Sequence, residues 1–166
     1  NGVGIYPTPV IGGVGLIKNY KKACSYQVTE NLDLFVVGKT LGHLELSVFN
    51  KELFNDESGV PPPIDLKEEL KNGEFIQFLI KSDLIKNCHD ISEGGIILAL
   101  SEIAITSNKG LVVEIPNINI SVNEWLFSED QSRYIVLSNN EKEIRKIANE
   151  KGVLVEKIGF SLSLIH

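Results

Sequence analysis

Two short polar segments carry most of the chemistry available to this chain. The first is His89-Asp90-Ile91-Ser92-Glu93-Gly94-Gly95. A short apolar run leads into it, and apolar residues at helical spacing follow it. Gly94 and Gly95 fall in the first turn of the expected helix. Peptide N–H groups there lack intrahelical partners, so an anion or a second backbone can come close. His89 and Asp90 sit at the strand-to-helix turn, a frequent position for ligand groups. The structural alternative is a helix capped by Asp90 or Ser92, with glycines that serve packing. The second segment is Phe127-Ser128-Glu129-Asp130-Gln131-Ser132-Arg133. Glu129 and Asp130 offer oxygen ligands for a divalent cation, and Arg133 offers a fork for phosphate. The structural alternative is a polar loop with Arg133 in an ion pair, and spacing alone favours it.

Other motifs carry less. Gly38-Lys39-Thr40 invites a phosphate-loop reading, but the glycine that motif needs five residues earlier is Asp33. His43 reads as a surface or hydrogen-bonded histidine, and Pro61-Pro62-Pro63 as a rigid connector. Cys24 and Cys88 lie far apart and form no CxxC. They argue for neither a disulfide framework nor a zinc site, and they suit a reducing cytoplasm.

The elements that must position these segments follow from periodicity. Val10 to Ile17 reads as a buried strand whose glycines permit close approach. Leu34 to Val37 is a second strand, and Leu44 to Phe54 a short helix. Asp65 starts a helix to about Lys81, with Glu68 in capping-box position and a break possible at Gly73. Leu84 to Cys88 is a short strand. Ile96, Ala99, Leu100, Ile103 and Ala104 mark an amphipathic helix from about Glu93 to Thr106. Strands are expected at Leu111 to Ile115, Tyr134 to Leu137 and Val153 to Gly159. A helix with Gly152 just past its end covers Asn140 to Lys151. Together these predict an α+β domain, a mixed β-sheet with helices packed on it.

The chain has 166 residues, 43% hydrophobic and 23% charged, enough to bury one core. No apolar run approaches the roughly 18 residues of a membrane span. A net charge of −6 without a basic block argues against nucleic acid. Both ends read as cuts through a longer chain. Residues 1–9 are expected to be a linker or the end of a preceding domain, and 10–166 the main domain, truncated at its C-terminus.

Five segments occur in order: Ile5-Tyr6-Pro7-Thr8-Pro9-Val10-Ile11-Gly12, Gly38-Lys39-Thr40-Leu41-Gly42-His43-Leu44, Pro61-Pro62-Pro63-Ile64-Asp65-Leu66, Cys88 through Gly95, and Phe127 through Arg133. In this order they resemble the last domain of the phosphoribosylformylglycinamidine synthase family, synthetase subunit. The wider group is the aminoimidazole-ribonucleotide synthetase-like superfamily, whose C-terminal domain the expected fold resembles. The resemblance implies an ATP- and magnesium-dependent carbon–nitrogen ligase of purine biosynthesis, cytoplasmic in location. That enzyme converts formylglycinamide ribonucleotide and glutamine-derived ammonia to formylglycinamidine ribonucleotide. The implied partners are the remaining domains of the same chain, a glutamine amidotransferase subunit and a small bridging subunit, with no nucleic acid and no membrane.

The resemblance implies no catalytic residue here, because the family's catalytic histidines lie in other parts. It makes His89, Asp90, Ser92, Glu93, Gly94, Gly95, Ser128, Glu129, Gln131, Ser132 and Arg133 candidate nucleotide or interface residues. Asp90 and Glu129 are the weak metal candidates. The isolated chain is expected to be inactive and to hold no cofactor tightly. Many members have Gly-Gly-Ser-Glu where this chain has Gly42-His43-Leu44-Glu45, and these bulkier side chains oppose close ligand approach. Two alternatives remain. One is a non-catalytic structural or auxiliary nucleotide-binding module. The other is a fragment of aminoimidazole ribonucleotide synthetase itself.

Overall fold

The computed structural model describes residues 11–163, except 18, 21, 22, 26, 29, 30, 86 and 118. Five strands form one sheet: β1 (Asp33–Val37), β2 (Asn87–Asp90), β3 (Lys109–Val113), β4 (Tyr134–Ser138) and β5 (Val155–Ser163). The helices are α1 (Val48–Phe54), α2 (Leu66–Lys81), α3 (Gly95–Ser107), α4 (Val122–Phe127) and α5 (Glu141–Lys151). No helix among the described residues is long and apolar enough to cross a membrane.

The sheet order is β2-β4-β1-β5-β3, and every pair of neighbouring strands is antiparallel. The α+β class is as expected, but the sheet is mixed only through one isolated parallel bridge, Ser25 with Asn87. Topology explains this. The helix α5 links β4 and β5, which run the same way but lie on either side of β1. Likewise α1 and α2 link β1 to β2 across β4, and α3 links β2 to β3 across three strands. These three crossovers therefore join parallel strands that are never neighbours, while α4 links β3 to β4, which run in opposite directions with β5 and β1 between them.

Strand alternation puts a core on each face of the sheet. Leu34, Val36, Ile135 and Leu137 point toward α3 and α4, where Ile96, Leu100, Ile103 and Trp125 complete one cluster. Phe35, Val37 and Val136 point the other way, toward Phe75, Ile76 and Leu79 of α2 and Ile144 and Ala148 of α5. The domain is thus a helix–sheet–helix sandwich whose central strands are buried on both faces.

Several boundaries differ from the sequence expectation. Residues 11–17 form no strand; Ile11, Val14 and Leu16 are exposed, and a Cβ on Gly12, Gly13 or Gly15 would meet nothing within 4 Å. A β-branched run becomes a strand only where a neighbour supplies hydrogen bonds, and no described strand lies beside it. Residue 10, the 1–9 linker and residues 164–166 lie outside the described residues. The helix α2 runs through Gly73 unbroken, because its buried face, from Asn72 to Leu79, outweighs one glycine. The strand expected at Leu84 to Cys88 is shifted to Asn87–Asp90, where it pairs with β4. One helix, α4, was not expected. Ser121 and Glu124 form a reciprocal capping box at its start, a local signal present in the sequence.

Candidate functional site

The unexpected helix is the one that sets the second polar segment. Trp125 anchors α4 in the core at 1% exposure, and the chain leaves the helix directly into residues 128–133. The first polar segment leaves β2 and enters α3, which packs on α4. The two segments therefore meet. Ile91 donates its N–H to the Arg133 carbonyl at 3.0 Å. Gly94 donates its N–H to Glu129 Oε1 at 2.9 Å.

This contact decides what the glycines do. Gly94 is the N-cap of α3 and makes no side-chain cap bond, so the caps expected from Asp90 or Ser92 are absent. Glu129 supplies the acceptor instead, and the same Oε1 accepts the Val48 N–H at the start of α1 at 2.8 Å. A carboxylate of the chain itself thus stands where an anion would sit at a helix start. Gly95 has φ +70°, and a Cβ there would lie 2.6 Å from the Ser128 carbonyl oxygen. Its bareness lets the backbones of two segments touch.

Asp130 is filled in the same manner. Its carboxylate accepts N–H groups from Leu41 at 2.7 Å, Gly42 at 2.9 Å and His43 at 3.4 Å. The Gly38-Lys39-Thr40 region therefore feeds a nest of amides closed by an internal carboxylate. The His43 ring bonds the Val60 carbonyl at 2.9 Å, so it ties down the proline-rich connector.

Arg133 is 1% exposed. Its Nε donates to the Asp130 carbonyl at 3.0 Å, one terminal nitrogen to Thr40 Oγ1 at 3.1 Å, and the other to the Ser128 carbonyl at 2.6 Å. Burial lowers its pKa from the ordinary arginine value to about 10, against the opposing pull of Asp130 and Glu129, and it stays charged at neutral pH. Ser128 is buried beside it. The fork that sequence offers to phosphate is turned inward.

The other candidates lie at the periphery. Asp90, Ser92 and Glu93 are exposed. His89 lies 3.1 Å from the Glu102 carboxylate on α3. Gln131 and Ser132 border a small cavity of about 80 Å³, also lined by Lys39, Asp65, Glu68, Asn72 and Asp130. Ser132 holds φ +61°, an uncommon conformation for a side chain. Asn72 donates to the Ser132 carbonyl at 3.0 Å, while its own buried Oδ1 has no hydrogen-bond partner among the described residues. Sequence reasoning missed Asn72, since an asparagine inside a helix carries no motif.

The arrangement fits a nucleotide poorly. The amide groups suited to phosphate already hold Glu129 and Asp130. No group of three or more His, Cys, Asp or Glu able to hold a metal occurs among the described residues. The cavity is far below the roughly 300–1,000 Å³ of ordinary ligand pockets. At about 80 Å³ it has room only for a small group.

Comparison with known proteins places the domain. Residues 32–160 match the family described as AIR synthase related protein, C-terminal domain. A phosphoribosylformylglycinamidine synthase subunit PurL from Pelagibacter ubique is 45% identical over 161 residues, 95% of this chain and 22% of that protein. The chain thus spans about a fifth of the length of the curated relatives it matches. Among solved structures, Thermotoga maritima PurL complexed with ATP superposes with a TM-score of 0.68 at 17% identity, covering 87% of this chain and 24% of that one. PurLQS from the same organism gives 0.62 at 18% identity, covering 86% and 24%. At those identities the structural likeness speaks for the fold. The match over residues 32–160 goes further: the chain belongs to the AIR synthase related protein, C-terminal domain family.

Proposed function

We propose that this chain is the C-terminal domain of the synthetase subunit of phosphoribosylformylglycinamidine synthase, an ATP-dependent carbon–nitrogen ligase. The observation that carries the reading is the 45% identity to a subunit of that name across 95% of the chain. The whole protein would convert formylglycinamide ribonucleotide, ATP and glutamine-derived ammonia to formylglycinamidine ribonucleotide, ADP and phosphate. It would act in the cytoplasm with magnesium, the other domains of its own chain, a glutamine amidotransferase subunit and a small bridging subunit. The ATP-bound and PurLQS neighbours support nucleotide use and subunit assembly.

Within that protein we assign this domain a non-catalytic, shaping role. Glu129 and Asp130 occupy the amides that a triphosphate would use, so phosphate and magnesium belong to other domains. Gly94, Gly95, Ser128, Glu129 and Arg133 hold the two loops together. Asp90, Ser92, Glu93, Gln131 and Ser132, on the open side, face a ligand or a neighbouring domain, and His89 orients that rim through Glu102. A fragment of aminoimidazole ribonucleotide synthetase is the remaining alternative.

The test is an assay of amidine formation with ammonia, ATP and magnesium. The full-length parent should form formylglycinamidine ribonucleotide, and this chain alone should not. Product from the chain alone would overturn the shaping role. A parent that instead closes the imidazole ring of aminoimidazole ribonucleotide would overturn the family assignment within the superfamily.

A further inference from the structure

The helix α3 is apolar on more sides than the sheet can cover. Of its 13 residues only Glu102 is charged, and a helix apolar all round is normally buried all round. The sheet and α4 bury Ile96, Ala99, Leu100 and Ile103, while Ile97, Leu98 and Ile105 face outward. The short helix α1 lies beside that outward face and has no buried residue of its own. Between them runs a groove of about 360 Å³, walled by Val48, Phe49 and Leu53 of α1, Ile97 and Leu98 of α3, and Phe127. The Phe49 ring stacks 4.5 Å from Phe127, which makes one end of the wall rigid. Leu53 is 63% exposed and Leu98 43%.

The groove is shaped by the joint between the two polar loops. Glu129 Oε1 holds the first amides of both walls, Gly94 before α3 and Val48 at the start of α1. Gly94 itself lies in the groove, with the Leu98 side chain folded over it. The volume would admit a small molecule, but no polar group is free to orient one. Ser101 already donates its hydroxyl to the Ile97 carbonyl at 2.7 Å. The remaining polar group is Glu52, and the residues next to Gly94 and Ser101 in sequence are Glu93 and Glu102, all three exposed. Lys51 is taken up by Glu57 at 2.7 Å. An apolar floor with an acidic border suits a polypeptide face that is apolar at its centre and basic at its edge.

We propose that this groove is where the rest of the parent polypeptide docks, laying an apolar ridge flanked by basic side chains between α1 and α3. The proposal rests on the reading of this chain as one domain of a longer protein. The chain spans 22% of the length of its Pelagibacter ubique relative, so most of such a parent lies outside it. A second copy is the poorer occupant, because its groove would bring the same three carboxylates and a net charge of −6 against their equals.

Hydrogen exchange read by mass spectrometry compares the full-length parent with the 166-residue chain. Peptides over residues 48–54 and 97–105 should exchange at least about tenfold more slowly in the parent. In the parent, Leu53→Asp should return both to the rates of the isolated chain, while the melting temperature of the isolated chain should move by less than about 2 °C, since the side chain is exposed. Glu52→Lys should speed exchange in the parent at low salt and less at high salt. The wild-type comparison decides by itself if a variant fails to fold. Equal rates in parent and isolated chain would overturn the proposal. So would protection that grows with the concentration of the isolated chain, or that needs a separate subunit. Amidine formation is scored separately: a parent without it would overturn the enzymatic reading, and its exchange rates would still decide this one.

Discussion

The carboxylate of Glu129 sits on the N–H of Gly94 at 2.9 Å, at the point where α3 begins. With the Val48 N–H at 2.8 Å on the same oxygen, one side chain closes the starts of two helices. The glycine pair of the first loop and the acidic stretch of the second are therefore two halves of one structural joint.

Glu129→Ala should destabilise the domain by about 1.5–3 kcal/mol, the range for hydrogen bonds to a charged group whose partners are left unpaired. Glu129→Gln keeps an acceptor oxygen and should lose less. Urea unfolding of the three proteins measures both. A neutral effect of the alanine would mean that water replaces the carboxylate freely.

Arg133→Ala should cost about 3–5 kcal/mol, because it leaves the Asp130 and Ser128 carbonyls and Thr40 without their donor in a dry site. Arg133→Lys should recover little, since one ammonium cannot reproduce the fork. An arginine reserved for ligand would instead leave thermal unfolding unchanged when removed.

Gly95→Ala and Gly152→Ala separate close approach from backbone strain. Both glycines have positive φ, +70° and +64°, but a Cβ at Gly95 would press on the Ser128 carbonyl, while at Gly152 it meets nothing within 4 Å. Gly152→Ala should cost about 1–2 kcal/mol from the left-handed backbone alone. Gly95→Ala should cost clearly more in the same denaturant series.

Leu100→Ala tests the layer beneath α3. Leu100 is 3% exposed in the cluster with Ile96, Ile103 and Trp125. A loss of about 2–5 kcal/mol is expected for such a truncation, and less than about 1 kcal/mol would show that the site collapses around the gap.

Acid should weaken the link between α5 and the sheet. Bonds from Arg145 and Lys157 hold the Glu141 carboxyl below its ordinary value of 4.5. A depressed folded pKa means the contribution is present above the unfolded value and is lost as pH falls through the folded one. The group is solvent-facing, so the effect is small. Stability of wild type minus Glu141→Gln, followed by thermal melts, should shrink from pH 6 down to pH 3. A difference constant over that range would contradict the pairing.

Much of this domain was readable from residue order alone. Capping and apolar spacing marked α2, α3 and α5 because those signals act within a few residues, and Leu34 to Val37 was apolar enough to name β1. Five motifs in order sufficed to indicate the family. What lies between segments far apart in the chain was not readable. The order β2-β4-β1-β5-β3 depends on which strands the crossovers skip, and periodicity is silent on that. Residues 11–17 have strand composition but no described neighbour, so composition alone misled. Glu129 and Arg133 have the right chemistry for metal and phosphate. Only the packing of α4 on α3 turned one onto the Gly94 amide and the other onto the Ser128 carbonyl. A local pattern states what a side chain is able to bind; the tertiary fold decides what reaches it first, because buried donors and acceptors pair with whatever the packing brings within about 3 Å.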